Sequence, residues 1–174
     1  MNELAEDFST NRNYGKWSEP DVPHRGWYCV AEFDAKEETG DLVTCEMCER
    51  SQVRFVHVMA NERFAATLNC GCVCAGHMAG DIKTADDREQ AMRSKARRRV
   101  NFPKRKGWKK SAQGNAYIKA DGVYVVISRT NSGLFQIGIK NVWEKDIQWG
   151  RFRYDSVEGA KAAAFAPYDK LRVT

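Results

Sequence analysis

Between Cys45 and His77 the chain reads Cys45-Glu-Met-Cys48, then a strand-like stretch, then Cys70-Gly-Cys72-Val-Cys74-Ala-Gly-His77. Five of the six cysteines and two of the three histidines fall in this run. Thiolate and imidazole at such density are the donors a tetrahedral Zn²⁺ requires, two at the spacing of a tight turn and two brought in by the fold. A segment that must converge its sulfur atoms on one point has few ways to fold. That requirement organises the first half of the chain.

Cys45 and Cys48 fit a zinc knuckle, a turn whose two thiolates point at one ion. The second pair is either Cys74 with His77, i and i+3 on the first turn of a helix, or Cys72 with Cys74. Cys70 reads as a strand residue and Cys29 as a buried small hydrophobe. The order knuckle, β-hairpin, then helix resembles the treble-clef zinc fingers over Cys45–Asp81, about a fifth of the chain. The resemblance implies a knuckle pair and a helix-start pair, and the Cys-x-Cys spacing of Cys72 and Cys74 departs from it. Four filled positions make a structural Zn²⁺ that contributes folding energy and leaves no site for water.

An apolar fraction of 43% with 11% aromatics describes a globular chain. No apolar run approaches a membrane span, and the acidic start Met1-Asn-Glu-Leu-Ala-Glu-Asp lacks a signal peptide's pattern. The expectation is a cytoplasmic protein with no membrane partner, in a compartment where thiols stay reduced and bind metal rather than pair. Charge is segregated. Residues 1–87 carry 8 basic and 16 acidic side chains, whereas residues 88–110 carry 11 basic and only 1 acidic.

The fold class reads as α+β, with four parts: a flexible arm (1–25), a zinc-binding module ending in a basic helix (26–100), a basic linker (101–114) and a β-β-β-α module (115–174). Strands are expected over 26–33, 53–59 and 64–70, and a helix from near Ala75 or Asp81 to about Arg99. In the last part, strands are expected over 123–128, 135–140 and 150–154, with Thr130-Asn-Ser-Gly133 as a hairpin turn. A helix opens at Asp155-Ser-Val-Glu158. Preceded by the basic helix, this order is similar to that of double-stranded RNA-binding domains. Trp143 and Trp149 read as core.

The basic stretch fits a phosphate backbone, DNA or RNA, contacted without sequence preference. Its candidate contacts are Arg93, Lys95, Arg97, Arg98, Arg99, Lys104, Arg105, Lys106, Lys109 and Lys110, with Trp108 stacking on a base. The function this suggests is a zinc-stabilised accessory or regulatory factor and not an enzyme. An alternative is a protein-interaction module or inhibitor, such as a phage- or plasmid-borne one, docking on an acidic protein partner. A third reading uses His57, with His77 and Asp81, as a metal-dependent nuclease site.

Overall fold

The computed structural model describes residues 13–172. The chain is mixed α+β, and its contacts divide it into two compact units between Ser94 and Lys95. None of the helices is long and apolar enough to cross a membrane, among the described residues.

The first unit is built on a three-stranded antiparallel sheet of β1 (Tyr28–Asp34), β4 (Phe55–Asn61) and β5 (Phe64–Cys70), with β4 in the middle. A single turn, α1 (Ala35–Glu38), follows β1. The two-residue strands β2 (Val43–Thr44) and β3 (Gln52–Val53) pair into a small hairpin whose turn carries Cys45 and Cys48. Antiparallel partners share a face, so His57 with Cys70 and Met59 with Leu68 point the same way. Against Met59, Leu68 and Cys70 pack Cys74, Ala75 and Met78 of α2 (Cys72–Ala79).

Of the two starts expected for the long helix, near Ala75 or Asp81, the second is the one it takes, and a shorter α2 precedes it as a separate element. α2 ends at Gly80, whose left-handed φ of 71° lets Asp81 N–H reach back to the Gly76 carbonyl at 2.9 Å. α3 (Ile82–Asn101) then starts anew, with the Asp81 carboxylate accepting from Thr84 N–H at 2.9 Å. Asp81 is therefore the cap of α3.

The arm is a further correction. Its residues 1–12 lie outside the described residues, but within 13–25 two side chains are anchored in the core while most of the others stay exposed. Trp17 and Val22 are buried, and Lys16 N–H donates to Met47 O at 3.0 Å. Gly15, at φ 55°, sits so close to the knuckle that a Cβ would lie 2.7 Å from the Cys48 carbonyl carbon. The polar look of this stretch hid a tryptophan that covers the sulfur atoms.

The second unit holds a five-stranded antiparallel sheet in the order β10-β9-β8-β7-β6. Its long strands are β7 (Ala116–Ala120), β8 (Val123–Arg129) and β9 (Phe135–Asn141), with two-residue edges β6 (Lys109–Lys110) and β10 (Gln148–Trp149). Strand β7 was not foreseen. Asp121 and Gly122, both at positive φ, make the two-residue turn that pairs Ala120 with Val123. The strand expected over 150–154 contributes one bridge, Tyr154 to Phe135. The Thr130–Gly133 turn forms as read, with Gly133 N–H on Thr130 O at 2.9 Å.

One sheet face (Ile118, Val125, Ile127, Ile137, Ile139) packs against Phe102, α4 (Val157–Ala163) and α5 (Phe165–Leu171). Ser156 caps α4 by accepting from Gly159 N–H at 3.0 Å. Pro167 falls in the first turn of α5, where its missing N–H has no intrahelical acceptor to lose. Trp143 and Trp149, expected in the core, are 73% and 48% exposed.

Trp17→Ala should destabilise the first unit by about 3–5 kcal/mol through the cavity it leaves. Phe152→Ala, at a side chain 77% exposed, should change stability by less than about 0.5 kcal/mol. Urea unfolding of both variants beside the parent checks this.

Candidate functional site

Three thiols converge in the first unit. The Sγ atoms of Cys45, Cys48 and Cys74 lie within 4.8 Å of one another, and all three residues are buried. In a tetrahedral zinc thiolate site, with Zn–S near 2.3 Å, neighbouring sulfurs stand about 3.8 Å apart. The cluster can therefore close on a metal ion with small side-chain movements.

The surrounding backbone explains how the sulfurs are aimed. Cys45 N–H donates to Ser51 O and Glu49 N–H to Cys45 O, both at 2.8 Å, folding the knuckle into a tight turn. Glu49 completes that turn at φ 55°, a left-handed conformation that costs on the order of 1 kcal/mol in a residue with a side chain. Glu46 fastens the turn to β5: its N–H donates to Asn69 O at 2.8 Å, and its carboxylate accepts from Asn69 N–H. Gly71 N–H points at Cys45 Sγ, 3.4 Å away.

Cys70, the last residue of β5, is fully buried with its Sγ 3.6 Å from Met78 Sδ. Hydrogen bonds from the Cys70 and Cys74 thiols hold the Cys45 thiol far below its ordinary pKa. The same bonds, with burial, push Cys70 and Cys74 up. One thiolate flanked by two thiols is how such a cluster carries its charge without a cation. The same geometry can hold a divalent ion in place of those shared protons.

The expected ligands thus separate. Cys45, Cys48 and Cys74 come together. Cys72 does not join them: it belongs to a second group with His57 and Glu89, whose ligand atoms also lie within 4.8 Å of one another. His77, in the last turn of α2, belongs to neither group, and Asp81 caps α3. Cys29 also stands apart, donating its thiol to Ala31 O at 3.2 Å. The position missed by sequence reasoning is Glu89, an acidic residue alone in a basic stretch.

His57 has none of its surface exposed, and neither ring nitrogen has a hydrogen-bond partner. Burial lowers its pKa. Leaving such polar atoms unsatisfied costs on the order of 1–3 kcal/mol. Burial, followed by the Glu89 charge, raises the Cys72 thiol to about 11.

The basic residues have divided roles. Arg93 binds Glu89 and lies over the Phe55 ring at 5.3 Å. Arg98 pairs with Asp169 at 3.2 Å, and Arg99 lies over Phe165 at 5.5 Å. Arg105 donates to Tyr168 Oη at 2.7 Å and Asp121 at 3.2 Å, and Tyr168 in turn hydrogen-bonds Asp121. Trp108, expected to stack on a base, is partly buried. It donates to Phe102 O at 2.9 Å and meets the Phe102 ring edge-on. By contrast Lys95, Arg97, Lys104, Lys106, Lys109 and Lys110 are exposed and make no ion pair among the described residues.

The second face of the five-stranded sheet is polar and aromatic. Lys119, Tyr124 and Lys140 lie in register across β7, β8 and β9, with the Tyr117 ring 5.9 Å from that of Tyr124. They border a cavity of about 590 Å³ together with Ser111 and Ile147.

No family model matches this chain, and no curated protein or solved structure matches it.

Cys74→Ser should lower bound zinc and the stability of the first unit, whereas Cys29→Ser should leave both unchanged. Because thiols must lose protons to bind, zinc uptake by the parent should also weaken between about pH 8 and pH 6. Competition with a chelating dye, read beside circular dichroism, measures both effects.

Proposed function

We propose that this chain is a zinc-stabilised nucleic-acid-binding protein of accessory or regulatory type. The observation that carries the reading is the set of exposed, unneutralised cations at Lys95, Arg97, Lys104, Lys106, Lys109 and Lys110. They fall within one short stretch whose other arginines are occupied by carboxylates and rings. Cations without intramolecular partners are the ones whose transfer to phosphates releases counterions and breaks no existing pair.

The second unit supplies a surface to go with them. Tyr117 and Tyr124 present ring faces beside Lys119, whose Nζ is 5.6 Å from the Tyr124 ring. Stacking on such rings tolerates any base, which suits binding driven by the backbone. Arg93, Arg98 and Arg105 hold the protein together in this reading, and Trp108 is a core-edge residue.

The metal in this reading is Zn²⁺, held by Cys45, Cys48 and Cys74, with Cys70 as the fourth ligand in place of Cys72 or His77. Cys70 is the thiol hydrogen-bonded to Cys45 and fully buried at the end of β5. Knuckle, strand end and helix give a treble-clef-like arrangement in which the ion is scaffold.

Anisotropy titrations against single-stranded DNA, duplex DNA and duplex RNA, from about 50 to 200 mM salt, test the function. Affinity should fall steeply with salt. The Lys104/Lys106/Lys109/Lys110→Ala variant should lose about 0.9 of the duplex-DNA salt slope for each phosphate contact removed. Arg98→Ala should act mainly on stability. No binding at the lowest salt sinks the proposal and moves the search to an acidic protein partner.

A further inference from the structure

We infer that His57, Cys72 and Glu89 form a second metal centre, a three-ligand site for a divalent cation of the zinc class. The ligand atoms of these residues lie within 4.8 Å of one another. They come from three different elements: the middle strand β4, the first residue of α2 and the third turn of α3. All belong to the first unit, and none is a ligand of the thiol cluster.

His57 is the observation that asks for a ligand. Its ring is sealed from solvent on the middle strand, and neither nitrogen has a partner. A structural core histidine is normally satisfied by a carbonyl, a carboxylate or another side chain. Here the groups near the ring are a thiol and a carboxylate, which with an imidazole make a metal donor set. A bound cation takes the lone pair of one ring nitrogen and removes part of the cost of burying the ring.

Nitrogen, sulfur and oxygen donors together select a borderline cation. Magnesium and calcium prefer oxygen alone, whereas zinc accepts all three. Around the site, the carboxylates of Glu32, Asp86 and Glu89 outnumber the guanidinium groups of Arg88 and Arg93, which act on the same side chains in the opposite sense. Arg88 holds Glu32 at 3.1 Å, and Arg93 contacts Glu89 through Oε1. Both arginine contacts on Glu89 fall on that one oxygen, so Oε2 remains for a cation. Arg93, counted in sequence as a phosphate contact, orients this ligand.

Three protein ligands leave a fourth position open to water or an exogenous ligand, unlike a filled thiolate site. Cys72 and Glu89 are only partly buried, which gives a cation a way in past them. The centre also fastens α3 to β4 and α2, so metal loading stabilises the start of the basic helix.

The test is metal stoichiometry on the full chain, by mass spectrometry after loading with Zn²⁺ and by Co²⁺ titration. Two cations per chain are expected in the parent. Glu89→Gln should lower affinity for the second equivalent by about 100-fold, with the thiolate-to-cobalt charge-transfer bands of the Cys45 cluster unchanged. Cys45→Ser should lose the other equivalent; if it keeps both cations, the thiol centre of the proposed function fails without touching this one. A single cation per chain that Glu89→Gln does not weaken, or two held as tightly by Glu89→Gln, overturns the second centre. Should the variant fail to fold, the parent decides: the second equivalent must shift the His57 ring resonances and protect Cys72 from alkylation, and an unmoved ring or an unprotected thiol overturns it.

Discussion

Four buried sulfur atoms at the meeting point of a knuckle, a strand end and a helix are the constraint on which the first unit depends. Cys45 and Cys48 come from the turn between β2 and β3, Cys70 from the end of β5, and Cys74 from α2. Hydrogen bonds from Cys70 and Cys74 lower the Cys45 thiol's pKa, which favours negative charge in this buried place. Every nearby packing choice serves to hold that cluster. Trp17 and Val22 are drawn in over it, Gly15 makes room for the Cys48 backbone, and Met47 and Met78 fill the gaps with polarisable, adaptable side chains. In a core this small, sulfur donors take the place of aliphatic bulk, which is the arrangement in which a metal ion contributes folding energy.

The second unit solves the same problem by other means. Phe102, Phe165 and Tyr168 stack against one another behind a sheet of alternating valine and isoleucine, and no cysteine is present. Arginine here is a structural residue as often as a surface charge. Arg98 and Arg105 are spent on Asp169, Asp121 and Tyr168, which anchor α5 and the β7–β8 turn. The cations left over are mostly lysines, long and flexible: Lys95 and Arg97 lie on α3, Lys104 and Lys106 on the segment that connects it to the sheet, and Lys109 and Lys110 on the edge strand β6. Composition alone assigned all of them one role, and packing divides them into two.

Patterns that depend on near neighbours were legible in the sequence. Strand β5 falls where alternation and the flanking turns put it, as do the Thr130–Gly133 hairpin and the Ser156 cap. What needed distant partners was not. Trp17 looks like part of a polar arm until Met47 and Cys74 are placed beneath it. Strand β7 was missed although Asp121-Gly122, flanked by apolar alternation, is a strong hairpin signal; the preceding Lys-rich run drew the segment into a linker. Trp143 and Trp149 were assigned to the core on residue type, but they sit beyond the end of β9 and on an edge strand of two residues, where little can cover them.

The Cys-x-Cys spacing that departs from the treble-clef pattern has a geometric explanation. Cys72 and Cys74 both lie in α2, where successive residues turn by about 100°, so the two side chains leave the helix about 200° apart. They cannot share one ion from the same helix. Cys74 faces the knuckle, and Cys72 therefore faces away from it, toward His57 and Glu89. His77, three residues on from Cys74, returns to nearly the same side about 4.5 Å further along the axis, but its ring is not among the groups that converge with the knuckle sulfurs. Cys70 precedes the helix in extended backbone and reaches the cluster from another direction. Three cysteines at alternate positions across a strand-to-helix junction thus serve two points in space: Cys70 and Cys74 one of them, and Cys72 the other.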